Sequence, residues 1–134
     1  MVLNEICKKC NYICNAKHFQ QNFENWTSGN NDVNKFIQVT QLSEHTSWIN
    51  ALEWASQSNV KNALEWIPYN RFYDIKYIVE GKLGKIYRAN WIDGNISYWS
   101  DYNQNWKREN PNIFVIFKSL NNLTNITSEL HKVL

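Results

Sequence analysis

The spacing of hydrophobic positions along the chain changes near Pro68. Before Pro68, apolar residues recur at helical intervals, and the clearest helix begins after a polar break at 28–31. We expect Asp32 to cap this helix. Its apolar face carries Val33, Phe36, Ile37 and Thr40. After Pro68, β-branched and aromatic residues dominate, which is typical of strands. The pattern therefore predicts an α+β chain with helices first and strands second.

Further helical stretches are expected on both sides of this helix, so that 19–67 is helical in short pieces. The apolar positions that predict them are Phe19, Phe23 and Trp26, then Trp48, Leu52 and Ala55, and finally Val60 and Leu64. The word Asn-Ala-Leu-Glu-Trp occurs at 50–54 and again at 62–66. Two copies are too few for a solenoid, so we interpret them as a local duplication that lengthened a helical linker.

The second half of the chain predicts an antiparallel sheet. Strands at 73–79 and 85–92 form a hairpin whose turn contains Gly81 and Gly84, and Asp93-Gly94 predicts another tight turn. The remaining predicted elements are a short strand at 96–99, a polar loop at 100–112, an apolar strand at 113–117 that ends on Lys118, and a helix at 122–134. We divide the chain into a cysteine-containing helical region, 1–70, and a strand-rich region, 71–134.

Composition and charge exclude several classes of function. Apolar residues make up 43% of 134 residues, which is enough for a core. The 14 basic and 12 acidic residues are scattered and leave a net charge of +2, so we expect no nucleic-acid partner. No apolar run is long enough to span a bilayer, and the first residues do not resemble a secretory signal. We therefore expect a cytoplasmic protein without a membrane partner.

The cysteines lie close together near the N-terminus. Cys7, Cys10, Cys14 and His18 form a Cys₃His set, which suits tetrahedral zinc. Only three residues separate Cys10 from Cys14, however, whereas a stable zinc knuckle needs enough chain between its ligand pairs to fold back. This spacing favours free thiols over a zinc site. The odd number of cysteines argues against a disulfide framework.

The other candidate groups do not form a hydrolase site. His18, His45 and His131 are far apart in the sequence and lack the spacing of a catalytic triad or a His-Glu-x-x-His zinc site. The seven tryptophans are spread over every predicted element, which is typical of core packing. Trp99 and Trp106 differ from the others, because they lie in the long hairpin loop between the second and third main strands of the predicted sheet.

The order of a glycine turn between two antiparallel strands, a strand ending in lysine and then a helix is typical of a kinase nucleotide lobe. Residues 78–91 resemble the kinase glycine loop, and residues 115–120 resemble the strand with the motif Val-Ala-x-Lys. The flanking segments 14–23, 26–30 and 64–69 are similar to an expanded fungal group of tyrosine-kinase-like protein kinases. Chains of that group open with a cysteine knuckle, in which the first cysteine of a second pair corresponds to Asn11.

This resemblance implies a partial kinase N-lobe that ends with the start of its C-helix. The residues expected to bind ATP are Ile78, Gly81, Gly84, Ile86 and Lys118. Three positions depart from the family pattern. Val79 replaces the first loop glycine, Ile116 replaces a small residue against adenine, and Val133 replaces the helix glutamate, with Glu129 one turn earlier.

The catalytic motifs His-Arg-Asp and Asp-Phe-Gly are absent from the sequence, so we assign no catalytic residue and expect this chain alone not to transfer phosphate. One hypothesis is an ATP-binding kinase lobe that supports protein phosphorylation only together with a C-lobe. The alternative is a non-catalytic interaction module, or a degenerate fragment, without nucleotide binding. In either case we expect a protein partner to cover the exposed sheet.

Overall fold

The computed structural model describes residues 6–45, 59–82 and 84–120, and these have the predicted α+β organisation. Two helices precede two antiparallel sheets. The helices are α1 (Asn15–Gln21) and α2 (Asn31–Leu42), and short 3₁₀ turns lie at Phe23–Asn25 and Tyr69–Arg71. The strands are β1 (Phe72–Gly81), β2 (Gly84–Trp91), β3 (Asn95–Ser100), β4 (Asn105–Glu109) and β5 (Ile113–Leu120). No helix in these ranges is long and apolar enough to cross a membrane.

The N-cap of helix α2 lies two residues before the predicted one. Asn30 is the N-cap, and its side-chain oxygen accepts hydrogen bonds from the backbone amides of Asp32 (2.9 Å) and Val33 (3.1 Å). Asp32 instead lies in the first turn, where its negative charge interacts favourably with the positive end of the helix dipole. The predicted apolar face is only partly buried, since Ile37 is 1% exposed and Phe36 is 62% exposed.

The segment 59–67 is not helical, so the helix predicted from Val60 and Leu64 is wrong. Its backbone is held by side chains from outside the segment instead of by its own helical hydrogen bonds. The carboxylate of Glu44 accepts the amides of Lys61 (2.9 Å) and Asn62 (2.7 Å). Further tertiary bonds join Gln41 to Leu64, Leu64 to Thr40, and Val60 to Ser97. These contacts override the local helical pattern.

Of the two copies of the word Asn-Ala-Leu-Glu-Trp, the structure describes the second. The second copy, 62–66, belongs to the non-helical segment, so it does not lengthen a helix. The first copy, 50–54, and the helical face predicted from Trp48, Leu52 and Ala55 lie outside the described residues. The helix predicted at 122–134 also lies outside them.

The larger sheet has the strand order β1-β2-β5 and is antiparallel throughout. The predicted hairpin is confirmed, with Gly81 opposite Gly84 at its end. Strand β5 pairs with β2 without interruption, from Gly84 opposite Leu120 to Trp91 opposite Ile113. The edge strand β1 contains two irregularities, between Tyr73 and Lys76 and between Tyr77 and Val79. Such bulges make an edge strand a poorer template for further pairing.

A second, two-stranded sheet is inserted between β2 and β5. The predicted strand at 96–99 is confirmed as part of β3, but the region 100–112 is not only a loop, because it contains β4. Trp99 and Trp106 lie directly opposite each other in this hairpin. The chain enters it through Gly94, whose φ is +74° and where an added Cβ would overlap the backbone oxygen of Glu109.

The main core lies on one face of the larger sheet. Its buried members are Ile67, Phe72, Ala89, Trp91, Val115 and Phe117. The sheet also leaves large apolar side chains exposed, among them Tyr77 (57%), Val79 (49%) and Phe114 (50%). The core therefore holds β1, β2 and β5 together while part of the sheet surface stays open to solvent.

An ion pair fastens the segment 59–67 to the small sheet. Both terminal guanidinium nitrogens of Arg108 donate to the Glu65 carboxylate, and one of them also donates to the carbonyl of Gly94 at 2.9 Å. The Glu65 side chain is only 24% exposed. Burial raises the pKa of Glu65, although the hydrogen bonds and charge of Arg108 oppose this rise. Removing Arg108 would therefore leave a largely buried carboxylate without its partner.

We predict that Arg108→Met destabilises the fold by about 2 kcal/mol, a value reduced from that of a fully buried pair because both side chains are partly exposed. Arg71→Met is the matched control, since Arg71 makes a similar two-nitrogen contact with Asp93 but is 41% exposed. Urea unfolding at neutral pH measures both changes. Equal losses for the two variants would contradict the importance of burial at Glu65.

Candidate metal centre

The three cysteines converge on a histidine from the far end of α2. One ligand atom from each of Cys7, Cys10, Cys14 and His45 lies within 4.8 Å of all the others. The Nδ1 atom of His45 is 3.5 Å from the Sγ atoms of Cys7 and Cys10, and 3.8 Å from that of Cys14. The cluster can therefore hold a metal ion.

These distances match the edges of a metal tetrahedron. Zinc binds cysteine sulfur at about 2.3 Å and histidine nitrogen at about 2.05 Å, so a tetrahedral angle places sulfur and nitrogen about 3.6 Å apart. The three observed sulfur–nitrogen distances of 3.5, 3.5 and 3.8 Å lie close to this value. All three cysteines are free thiols in the structure, so no disulfide competes for the sulfurs.

A tight turn positions the first two thiols. The carbonyl of Cys7 accepts the amide of Asn11 at 2.7 Å, and the amide of Cys7 donates to the carbonyl of Tyr12 at 3.0 Å. Asn11 has a φ of 63°, in the left-handed region that asparagine adopts more readily than most residues. The chain therefore reverses immediately after Cys10, which brings the next cysteine back to the first two.

The two helices position the other two ligands. Cys14 is the N-cap residue of α1, and its carbonyl accepts the amide of His18 at 3.1 Å. His45 follows the end of α2, which packs against α1. A backbone hydrogen bond from Ala16 to the carbonyl of Glu44 (2.9 Å) joins the start of α1 to the residue beside His45. The helix pair thus returns the chain to the cysteines over more than thirty residues.

The surroundings of the thiols shift their pKa values in opposite directions. Burial opposes ionisation of Cys7, but hydrogen bonds from the backbone amides of Cys10 and Lys9 lower its pKa overall. Burial and the negative charge of the neighbouring Cys14 sulfur raise the pKa of Cys10 to about 12. A bound cation would stabilise the thiolates of Cys7 and Cys10 and offset the burial that opposes their ionisation.

His18, the expected fourth ligand, lies elsewhere. Its ring stacks on Trp99 with the ring centres 3.9 Å apart and the planes 11° apart, and Trp106 meets it edge-on at 6.1 Å. Phe19 packs beside it on Trp106 at 4.4 Å. Burial lowers the pKa of His18 to about 4, although Asp101 partly opposes this change. His18 therefore joins α1 to the small sheet as a neutral aromatic ring.

Sequence reasoning missed His45 because it considered only residues near the cysteines. The missing signal is the arrangement of the helices. Two consecutive helices joined by a short break return the chain to its starting point, so residues just after α2 lie near those just before α1. His45 is the histidine that this return places beside the cysteines.

The residues expected to bind a nucleotide lie on the larger sheet. Gly81 and Gly84 face each other at the end of the β1–β2 hairpin, and Ile86 is paired with Lys118 on β5. Ile78 is 46% exposed and lies at the second irregularity of β1. Lys118 is exposed, and Ile116 two residues earlier is half-buried. Glu129 and Val133 lie outside the described residues.

No protein-family model, curated protein or solved structure matches this chain.

The neutral His18 ring makes stability depend on pH. Its pKa is about 4 in the folded protein and 6.5 ordinarily, so between these values the unfolded chain takes up a proton that the folded chain does not. We predict full stability from this group above pH 6.5 and a loss of about 1–2 kcal/mol by pH 4, roughly half the value for a fully buried ring.

His18→Phe isolates this contribution, because phenylalanine keeps a stacking ring but cannot titrate. Urea unfolding of both proteins at several pH values from 7 to 4 measures the difference, in which effects of the carboxylates and cysteines cancel. The wild type should lose more stability than the variant as the pH falls. Parallel curves for the two proteins would contradict the buried, neutral state of His18.

Proposed function

We propose that Cys7, Cys10, Cys14 and His45 bind one zinc ion that stabilises the N-terminal helical region. The observation that carries this proposal is the agreement of the three sulfur–nitrogen distances with tetrahedral zinc geometry. Three soft thiolates and one imidazole favour zinc over magnesium or calcium, which prefer oxygen ligands. A complete set of four protein ligands is typical of a structural rather than a catalytic zinc site.

The small size of the local core supports a structural role for the metal. The buried cluster around the site consists of Cys7, Cys14 and Ala16, with Cys10 and Tyr12 packed against it. Most of its members are therefore the candidate ligands themselves, and within residues 6–45 the other large buried apolar side chains are Phe19 and Ile37. Small domains with too little apolar core commonly depend on a metal or disulfide for stability. The metal would join the first turn of the chain to the end of α2.

We predict that the purified chain binds one equivalent of zinc and that His45→Asn weakens binding at least about 100-fold. Removing a residue that only hydrogen-bonds to a metal ligand typically lowers metal affinity 10- to 100-fold, and loss of a ligand itself should lower it at least as much. His18→Phe is the matched control, because it removes the imidazole but keeps a ring on Trp99, and it should keep full zinc stoichiometry. Native mass spectrometry and competition with a coloured chelator measure the stoichiometry and affinity.

Two further results decide the assignment. Zinc removal should reduce the helical circular dichroism signal, since metal binding is expected to be coupled to folding. Affinity should also fall as the pH is lowered, because the cysteine thiols must release protons when the metal binds. Full zinc binding by His45→Asn, or its loss in His18→Phe, would overturn the proposed ligand set.

A second proposal concerns the larger sheet, which we infer to be a kinase-like nucleotide-binding lobe. The β1–β2 hairpin ends in Gly81 and Gly84, and β5 places Lys118 beside Ile86 in the adjacent strand. Glycines allow a hairpin backbone to approach phosphates closely, and a lysine on the strand next to the hairpin can pair with them. Ile78 completes the expected ATP-binding set. Protein phosphorylation would still require a C-lobe.

The alternative for this sheet is a non-catalytic interaction module. The exposed side chains of Tyr77, Val79 and Phe114 support it, because a protein partner could cover them. Val79 also occupies the expected position of the first loop glycine, where a side chain hinders approach of the backbone to phosphates. The two readings differ in whether nucleotide binds.

We predict that Mg-ATP raises the melting temperature of the chain by a few degrees and that Lys118→Met abolishes the rise. A ligand at 100 times its Kd stabilises the folded state by about 2.7 kcal/mol. Lys76→Met is the control, since Lys76 lies on the same sheet opposite Arg88, away from the glycine end of the hairpin. No shift at millimolar Mg-ATP would contradict nucleotide binding and favour the interaction module.

A further inference from the structure

Every cysteine of the chain belongs to the candidate metal centre. The sequence contains three, and their sulfur atoms lie within 4.8 Å of one another. A disulfide bond is about 2.05 Å long, so two of these sulfurs need to approach each other by less than about 3 Å to form one. Such a bond consumes two of the four ligands and leaves one thiolate and His45. Two protein ligands are too few for the closed four-ligand site that holds a structural zinc ion.

The three cysteines differ in how far solvent reaches them. Cys7 is 5% exposed and Cys14 is 1% exposed, whereas Cys10 is partly exposed. A cavity of about 320 Å³, lined in part by Cys7 and His45, opens beside the centre. The share of one water molecule in the liquid is about 30 Å³, so a cavity of this size admits a reagent of a few atoms. A small oxidant can therefore reach the centre, where Cys10 is the most accessible cysteine.

We propose that Cys10 is an oxidation site at which hydrogen peroxide releases the zinc ion. This inference rests on the proposed zinc centre and concerns the regulation of that centre. Cysteines that sense oxidants are typically accessible thiolates with a second thiol beside them. Zinc holds its cysteine ligands as thiolates, and Cys7 and Cys14 are the neighbours that complete the reaction.

The reaction takes place in two steps and consumes one molecule of peroxide. The Cys10 thiolate attacks one peroxide oxygen, the oxygen–oxygen bond breaks and hydroxide leaves, so that Cys10 becomes a sulfenic acid. The thiolate of Cys7 or Cys14 then attacks the Cys10 sulfur, and a second hydroxide leaves as the disulfide forms. Two thiolates lose one electron each, the peroxide gains both electrons, and zinc departs as the hydrated ion. A dithiol reductant converts the disulfide back to thiols.

Loss of the metal affects the segment 59–67 through Glu44, the residue before the histidine ligand. The carbonyl of Glu44 accepts the amide of Ala16 near the start of α1, and its carboxylate accepts the amides of Lys61 and Asn62. Once the metal no longer ties the end of α2 to the cysteines, Glu44 is held less firmly. Because the acceptor of the two amides is then less well fixed, we expect both amides to exchange their hydrogens faster.

The test uses the full chain, loaded with one equivalent of zinc and treated with one equivalent of hydrogen peroxide until the reaction is complete. We expect the whole equivalent of zinc to pass to a coloured chelator and the protein to lose the mass of two hydrogen atoms. Peptide mapping should find Cys10 in the disulfide. Hydrogen exchange should become faster at Lys61 and Asn62 but not in β2, the central strand of the larger sheet. Dithiothreitol and fresh zinc should restore the original state.

The variant Cys10→His tests whether the accessible sulfur is the one that reacts. Histidine keeps a possible zinc ligand at this position but removes the sulfur. The variant should bind one equivalent of zinc and retain it under the peroxide treatment that empties the wild type. His18→Phe is the matched control, because it changes a histidine outside the centre, and it should release zinc as the wild type does. If Cys10→His does not load zinc, the disulfide map of the wild type decides.

The outcomes separate this inference from the zinc proposal. Failure of the wild-type chain to bind zinc would overturn the metal centre and this inference with it. Full zinc loading that survives the peroxide would overturn the oxidation site alone. A disulfide between Cys7 and Cys14 with Cys10 still reduced would contradict it, as would a sulfinic acid at Cys10 without any disulfide. Unchanged exchange at Lys61 and Asn62 after zinc release would overturn the connection to the segment that contains them.

Discussion

The stacking of His18 on Trp99 connects the two halves of the molecule through the short helix α1. The helix begins directly after Cys14, a candidate metal ligand. About one turn later, His18 and Phe19 pack against the tryptophans of the small sheet. A helix of seven residues is too short to be stable by itself, so contacts at its ends and sides must hold it. In the zinc-bound state that we propose, the metal fixes one end and the aromatic stack fixes the side.

Two carboxylates hold the segment 59–67 in place, since this segment has no helix or strand of its own. Glu44 accepts two backbone amides of this segment, and Glu65 pairs with Arg108 on β4. Glu44 is only 7% exposed, and a buried carboxylate without hydrogen-bond donors is costly, so these amides satisfy the carboxylate while it replaces the acceptors that a helix would have supplied. Because Glu44 immediately precedes His45, the same stretch of chain orders this segment and presents the histidine to the cysteines.

Predictions from sequence succeeded where the determining interactions are local. The hairpin at Gly81 and Gly84, strand β5 and helix α2 all follow from the spacing of apolar residues and from turn residues within a few positions. The same reasoning failed for the segment that contains Val60 and Leu64, because its backbone is held by Glu44, Thr40 and Ser97, all more than fifteen positions away. Strand β4 was missed because its polar sequence resembles a loop, and only the pairing of Trp106 with Trp99 identifies it as a strand.

The candidate metal ligands also differ in whether the sequence alone reveals them. The three cysteines could be identified from their spacing, whereas His45 is more than thirty residues from each of them and depends on the packing of α1 against α2. His18 has the right chemistry and lies closer in sequence, but the start of α1 turns its ring towards the small sheet. Closeness in sequence therefore favoured His18 as the fourth ligand, although its ring packs against the small sheet.

Only three residues lie between Cys10 and Cys14, and this short spacing in the sequence argued against a zinc site. The structure explains how so short a connection suffices. An extended chain would carry Cys14 about 13 Å from Cys10 over four residue steps. The ligand atoms instead lie within 4.8 Å, because Asn11 adopts the left-handed conformation and reverses the chain at once. A β-branched residue at this position would disfavour that conformation and move Cys14 away from the other thiols. A single left-handed residue thus replaces the longer connection that a zinc knuckle ordinarily needs, and α2 supplies the fourth ligand.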